Sequence, residues 1–380
     1  MKLNSYFRPG PAAATKIAQC AFLVLIYFSA SALVLDNFMK VHGDIVHRKG
    51  VTFATYLNFR TERPFSYRIL IPDIAAALDS VVSGNLTTKL RNKFEHQSDL
   101  ISTYMHADPT AGVGLDTSIR YHIAYVLVFL SILGWLFASR LIALQFFPAD
   151  HLVASLIPLC LACLAQVVYF PSAFLYDFPE MMFLSLALYA AMDRRFLLLA
   201  IVYPLSILNK ESDVLIILYF LSFNISRTDR AKLLVETLCL LVIGGLALFA
   251  SHYQARDFAG APVQFHLVEN LHFILNISSY WLFFQPTAPY VFFPEGYNLV
   301  YLALVIWLAL FRWADRPSSL RRLLLWCSVA NIPLVIAFGQ RDEIRNFSVV
   351  FPPLFATACW VMNEIYRPPG ARDSHVSRPS

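Results

Sequence analysis

From Tyr121 onward the chain is a succession of apolar blocks, at about 121–144, 152–170, 178–192, 196–208, 212–225, 233–251, 297–311, 323–339 and 346–364, separated mostly by short polar segments. A hydrocarbon core about 30 Å thick asks for roughly 20 apolar residues of helix. In lipid, only helices and closed barrels satisfy every backbone polar group. With a further block at about 18–35, the pattern predicts an all-α, polytopic transmembrane helical bundle of about ten spans. Hydrophobic residues make up 58% of the chain and charged residues 14%, the balance of a membrane protein. The net charge of +5 is spread through the loops. It reads as a topology signal, and no nucleic-acid partner is expected.

Lys2, Arg8 and Lys16 precede the first apolar run, which at about 20 residues is long for a signal-peptide core. A retained first helix ending at Asp36-Asn37 is therefore expected. Residues 37–120 then form a long outer loop: 37–83 mix aromatic and charged residues in the manner of interface-lying amphipathic helices, and a short helix is expected around Thr88 to Met105. Residues 1–366 make one transmembrane domain, and the polar, Pro-rich 367–380 a disordered tail. All six cysteines fall in apolar segments, so Cys160-Leu-Ala-Cys163 reads as packing and not as metal or redox chemistry.

Lysine and arginine gather on the cytoplasmic side of short loops. With the N-terminus inside, the inner loops hold Arg194 and Arg195; Arg227, Arg230 and Lys232; and Arg312, Arg316, Arg321 and Arg322. Arg367 and Arg372 join them at the C-terminus, whereas the short outer loops hold little beyond Lys210, Arg341 and Arg345. Both termini are expected in the cytoplasm, in a bacterial cytoplasmic (inner) membrane.

The stretch 169–213 reads as a helical hairpin with an Asp193-Arg194-Arg195 turn. Its far ends carry Asp177, Glu180, Lys210 and Glu211 on one side. Local capping accounts for much of this: Asp177 as N-cap, Glu180 closing a capping box with Pro179 in the first turn, and Asn209 capping a helix that starts at Lys210. Capping does not require a lysine on the lysine-poor face. The topology sends Asp36, Asp44, Arg68, the two hairpin ends and Arg341-Asp342-Glu343-Ile344-Arg345 to the same face, and ionisable groups gathered near a membrane point to a functional site. Arginine forks suit phosphate oxygens, which makes Arg68, Arg341 and Arg345 candidates for a phosphate, with Lys210 beside them. A carboxylate just beyond helix 1, Asp36 or Asp44, could act as a base. His42-x-Asp44-x-x-His47 reads as a solvated turn more than as a cation site. The aromatic 252–296 loop, with His252, His266, Glu269, His272 and Trp281, reads as an interfacial belt.

This layout, with the segments RPFSYRILIP, YDFPE followed by LNKES, and DEIRNF, resembles the GT-C class of membrane glycosyltransferases and uncharacterised bacterial multi-pass proteins grouped with it. The resemblance implies a polyprenyl-phosphate-linked sugar as donor, membrane lipids as partners, an acidic residue soon after the first helix, and transfer to an acceptor at the outer face. Asp36 and Asp44 occupy the acidic role. Arg68, Asp177, Glu180, Lys210, Glu211, Arg341, Asp342, Glu343 and Arg345 would bind or orient the substrates. Many members show two adjacent acidic residues in the first loop, where this chain has Asp36-Asn37 and an isolated Asp44. No resident metal site is assigned, although a divalent cation could take part. The alternative is a transporter or lipid flippase. The gathering of polar residues at one face instead of the midplane favours the enzyme.

Overall fold

The computed structural model of the protein describes residues 11–42, 53–59, 61–81, 88–89, 118–168, 174–281, 283–284, 293–294, 297–340 and 343–366. Asp44, Arg341, Asp342, almost all of the helix expected at Thr88 to Met105, and the tail 367–380 lie outside them. The helices are α1 (Pro11–His42), α2 (Phe53–Leu57), α3 (Leu70–Val81), α4 (Ser118–Phe146), α5 (His151–Val168), α6 (Asp177–Met192) and α7 (Phe196–Asn209). They continue with α8 (Ile217–Asn224), α9 (Arg230–Gln254), α10 (Leu267–Leu275), α11 (Leu299–Leu310), α12 (Ser318–Phe338) and α13 (Phe351–Tyr366). Among the described residues the fold is all-helical apart from one antiparallel bridge of two residues a side, Phe283–Phe284 with Phe293–Pro294.

Among the described residues, five segments are long and apolar enough to cross a membrane: Lys16–Met39, Arg120–Phe146, Arg230–Gln254, Ser318–Phe338 and Ile344–Tyr366. His151–Ala165, Phe196–Asn209 and Leu299–Leu310 are apolar but shorter. These features suit an integral membrane protein. At 1.5 Å per residue α6, with 16 residues, is about 24 Å long.

Helix α6 is the axis of the bundle. Its first turns place Tyr176, Phe178 and Met181 in a core shared with α1, α4 and α5. Its later turns place Leu184, Leu188 and Ala191 in a second core with α7, α8, α12 and α13. Close approach follows from small residues: a side chain at Gly134 of α4 would meet Met182 of α6, and one at Gly244 of α9 would meet the Tyr203 ring of α7. Asp229 starts α9 by accepting from the backbone N–H of Ala231 and Lys232, and Asn298 starts α11 by accepting from Val300.

The first helix does not stop at Asp36-Asn37 but continues to His42. The polar pair reads as a stop, yet Phe38 and Met39 beyond it are buried, and the Phe38 ring meets Phe178 edge-on at 4.9 Å. Packing on α6 therefore carries the helix on. Of the expected outer loop, the described part is folded against the bundle. Ile71 and Ala75 of α3 are buried while Leu78 and Val81 are exposed, the amphipathic division expected of an interface-lying helix. Arg120 of α4 holds Asp79 at 2.8 Å, and Gln254 of α9 donates to Asp73 at 2.9 Å. The backbone N–H of Arg63 donates to Ala259 O at 2.8 Å. Gly260 makes this approach feasible: its φ is +96°, and a Cβ there would lie 2.7 Å from the Arg63 carbonyl oxygen.

Candidate functional site

The turn at 193–195 returns the chain from α6 into α7 antiparallel to it, so the start of one helix lies beside the end of the other. The two runs have similar length, 16 and 14 residues. Asp177 and Glu180, in the first turn of α6, therefore lie beside Lys210, just past α7. Lys210 is extended (φ −159°, ψ 127°), and this break in the helix accompanies a side chain buried among carboxylates. Its Nζ lies 2.8 Å from Glu180 Oε2 and 3.5 Å from Asp177 Oδ1.

Arg345 completes the cluster. It lies on the 3-10 segment Ile344–Val350 that leads into α13. Its Nη1 donates to Asp177 Oδ2 at 3.2 Å and to the Tyr176 hydroxyl at 2.9 Å, and its Nη2 lies 2.9 Å from Glu343 Oε2. Ser348, on the same face of the 3-10 turn three residues on, donates to Glu180 Oε1. Asp177 also accepts the backbone N–H of Phe174 at 2.6 Å. All of Asp177, Glu180, Lys210 and Arg345 are buried. The result is a chain of alternating charge, Glu343, Arg345, Asp177, Lys210, Glu180, spanning three separate stretches of sequence. Two buried carboxylates in the first turn of α6 also face the positive end of that helix.

Capping therefore does not explain these residues. The N-cap of α6 is Tyr176, with no side-chain cap, and Asp177 is already helical. Glu180 bonds Lys210 and Ser348 instead of closing a capping box. Asn209 is the last residue of α7, and its amide donates to Tyr176 O at 2.9 Å, tying the two helix ends together.

Beside this cluster the Tyr176 ring carries Arg68, whose Cζ lies 4.1 Å from the ring centroid. Arg345 stacks in the same way on Phe174, at 4.1 Å, and Phe174 is parallel to Tyr176. Two guanidinium groups thus flank a pair of stacked rings. Glu211 approaches Arg68 Nε at 3.8 Å, attractive but too long for a hydrogen bond. Arg68 Nε and Nη1 and Arg345 Nε are buried with no hydrogen-bond acceptor among the described residues. Leaving such donors unmet is costly, and it marks where an oxygen-rich ligand would be held.

Directly next to the charged turn, Phe178 and Met181 of α6 line an apolar groove of about 170 Å³. Its other walls include Trp135 of α4, Leu161 of α5, Leu304 of α11 and Phe355 of α13. Trp135 is buried, and its Nε1–H has no acceptor among the described residues.

Of the residues expected from sequence, Asp177, Glu180, Lys210, Glu343 and Arg345 meet directly, and Arg68 with Glu211 adjoins them through Tyr176. Asp36 is half-buried on α1, two residues before Phe38. It stands within the helix and not at its expected end. Asp44, Arg341, Asp342 and the side chains of His42 and His47 lie outside the described residues. Sequence reasoning passed over Tyr176, Ser348 and Phe174, and also Asp213, a buried carboxyl beside Glu180 that accepts from Ser206. The three-residue spacings Arg345 to Ser348 and Lys210 to Asp213 were the available signal. Outside the bundle, partial burial raises the Asp73 carboxyl above its ordinary range, against the opposing hydrogen bond from Gln254.

No protein-family model matches the chain, and neither a curated protein nor a solved structure does.

Proposed function

We propose that this chain is an integral membrane, glycosyltransferase-like protein that transfers a sugar from a lipid-phosphate donor to an acceptor at the outer face. The observation that carries the reading is the pair of arginines around Tyr176 and Phe174, with three guanidinium nitrogens lacking acceptors among the described residues. A phosphate or pyrophosphate offers several oxygens to such a fork. The apolar groove starting at Phe178 suits the hydrocarbon chain of the same molecule.

In the reaction, the acceptor hydroxyl attacks the anomeric carbon of the donor sugar. The bond from that carbon to the lipid-phosphate oxygen breaks, and the lipid phosphate leaves with the electron pair. Arg68 and Arg345 neutralise the charge that develops on it, while the acceptor proton passes to a carboxylate, Asp36 or Asp44. Asp177 and Lys210 hold Arg345 and the α6–α7 ends in place. Helices α5, α6, α7, α8 and α11 join the five long segments to complete the bundle of about ten spans, with both termini at its basic end.

The test is reconstitution with a labelled polyprenyl-phosphate sugar. Turnover that is lost in Arg68→Ala supports the reading, and absence of any binding of the lipid phosphate to the intact protein refutes it. Transport is the second reading, drawing on the buried carboxyls Glu180 and Asp213 beside Lys210. Substrate flux across liposomes without sugar transfer would establish it in place of the first.

A further inference from the structure

The opposite end of the α6–α7 hairpin carries a cavity that the proposed reaction does not use. It measures about 390 Å³, within the range of small-molecule sites. Phe196, Leu199 and Phe220 supply apolar wall, and Arg194, Lys232 and Glu236 supply the charge. Lys232 and Glu236 are one turn apart on α9 and 3.8 Å from each other, so their pairing is loose. The three charged groups leave a net charge of +1.

Arg194 is the unusual residue. It follows the end of α6 at φ 57°, where the N–H of Arg195 returns to Ala190 O at 2.8 Å. Glycine is the usual occupant of such a left-handed closing position, because a side chain is strained there. A second arginine in the left-handed region, Arg312 at φ 45°, holds two carboxylates, Asp315 at 2.8 Å and Glu364 at 3.1 Å. Arg194 has no carboxylate partner among the described residues. Its Nη2 donates to the Thr228 hydroxyl at 2.9 Å. A strained cation at the rim of a cavity, bonded to a neutral group only, is placed to meet an anion.

Helix α9 indicates the source of that anion. After Lys232 it presents Leu234, Val235 and Leu238 as exposed apolar side chains, a surface suited to hydrocarbon. We propose that this cavity binds the phosphate headgroup of an anionic phospholipid, with Arg194 and Lys232 at the phosphate and the acyl chains along α9. Basic pockets between membrane helices recognise anionic headgroups in this manner. The site is independent of the sugar-transfer reading.

The experiment measures retention of phosphatidylglycerol by native mass spectrometry and the melting temperature of the protein in nanodiscs. Nanodiscs of phosphatidylglycerol are compared with phosphatidylcholine alone and with phosphatidylcholine plus inorganic phosphate. Phosphatidylglycerol should raise the melting temperature and inorganic phosphate should not. Arg194→Gly should weaken phosphatidylglycerol binding about five- to tenfold. In phosphatidylcholine it should melt no lower than the parent, because glycine relaxes the left-handed turn. Lys232→Gln, at an exposed position, should weaken binding in the same direction. Equal retention of phosphatidylglycerol by both variants and the parent overturns the proposal. So does an equal shift produced by inorganic phosphate, which would make the site one for a free anion.

Discussion

Replacing Lys210 with Met tests whether the charged cluster is the buried network described above. The ammonium lies 2.8 Å from Glu180 and 3.5 Å from Asp177. At an effective dielectric constant of about 20 each attraction is on the order of 5 kcal/mol. Burial of the ions opposes this by several kcal/mol apiece, so the intact network contributes little net stability. Removing one partner is different. Glu180 and Asp177 would keep the cost of burial while losing the cation between them, and such a break costs about 3–5 kcal/mol. In a large chain, at about 2 °C per kcal/mol, that is a fall in Tm of about 6–10 °C. The assay is thermal unfolding of detergent-solubilised protein, at several scan rates because unfolding of such chains is often irreversible. Pairing Lys210→Met with Glu180→Gln removes one charge of each sign and should recover at least half of the loss. A single variant that melts within a degree of the parent would refute the reasoning, as would a double variant whose loss is the sum of the two singles.

Arg68→Ala should lower affinity for a lipid phosphate about 10- to 100-fold, measured by labelled-lipid binding. Arg68→Lys should not rescue it, since an ammonium offers no planar fork. Gly260→Ala places a Cβ 2.7 Å from Arg63 O at a φ of +96° and should cost about 1–2 kcal/mol in denaturant unfolding. Partial burial raises the folded-state pKa of Asp73, so the folded form holds that proton more tightly than the unfolded form. Its effect on stability is therefore neutral at low pH and becomes unfavourable as pH rises from the unfolded value through the raised one. Asp73→Asn should give a small rise in Tm at neutral pH and a flatter dependence below it, read from melts between acid and neutral pH. If Asp36 is the base, Asp36→Asn should lower kcat by about 10²–10⁴, and Glu180→Gln should lower activity and Tm together.

The meeting of Asp177 and Glu180 with Lys210 was legible because two runs of similar length joined by a short turn must bring their far ends together. A lysine on the lysine-poor face is hard to explain in any other way. Arg345 and Glu343 followed from alternation of sides along the chain. Tyr176 and Ser348 were not legible, since an uncharged hydroxyl carries no weight in a topology argument and becomes visible only when a partner such as Arg345 or Glu180 is placed against it. The end of the first helix failed for a related reason. Asp36-Asn37 is a good local stop, but the burial of Phe38 and Met39 on α6 is a tertiary gain that local sequence does not show.

The geometry also separates the roles of the carboxylates. Asp177 receives a backbone N–H, Arg345 and Lys210; Glu180 receives Lys210 and Ser348. A base must come within hydrogen-bond reach of the hydroxyl it deprotonates, and the oxygens of both acids are turned towards donors of the protein itself. These two acids are therefore suited to fixing Arg345 and the junction of α6 with α7, and poorly suited to deprotonating an acceptor. If sugar transfer occurs here, its base comes from outside the cluster, from the end of α1 or the residues that follow it. The buried network then sets where the phosphate sits, while the acid on the first helix or just beyond it sets which hydroxyl can react.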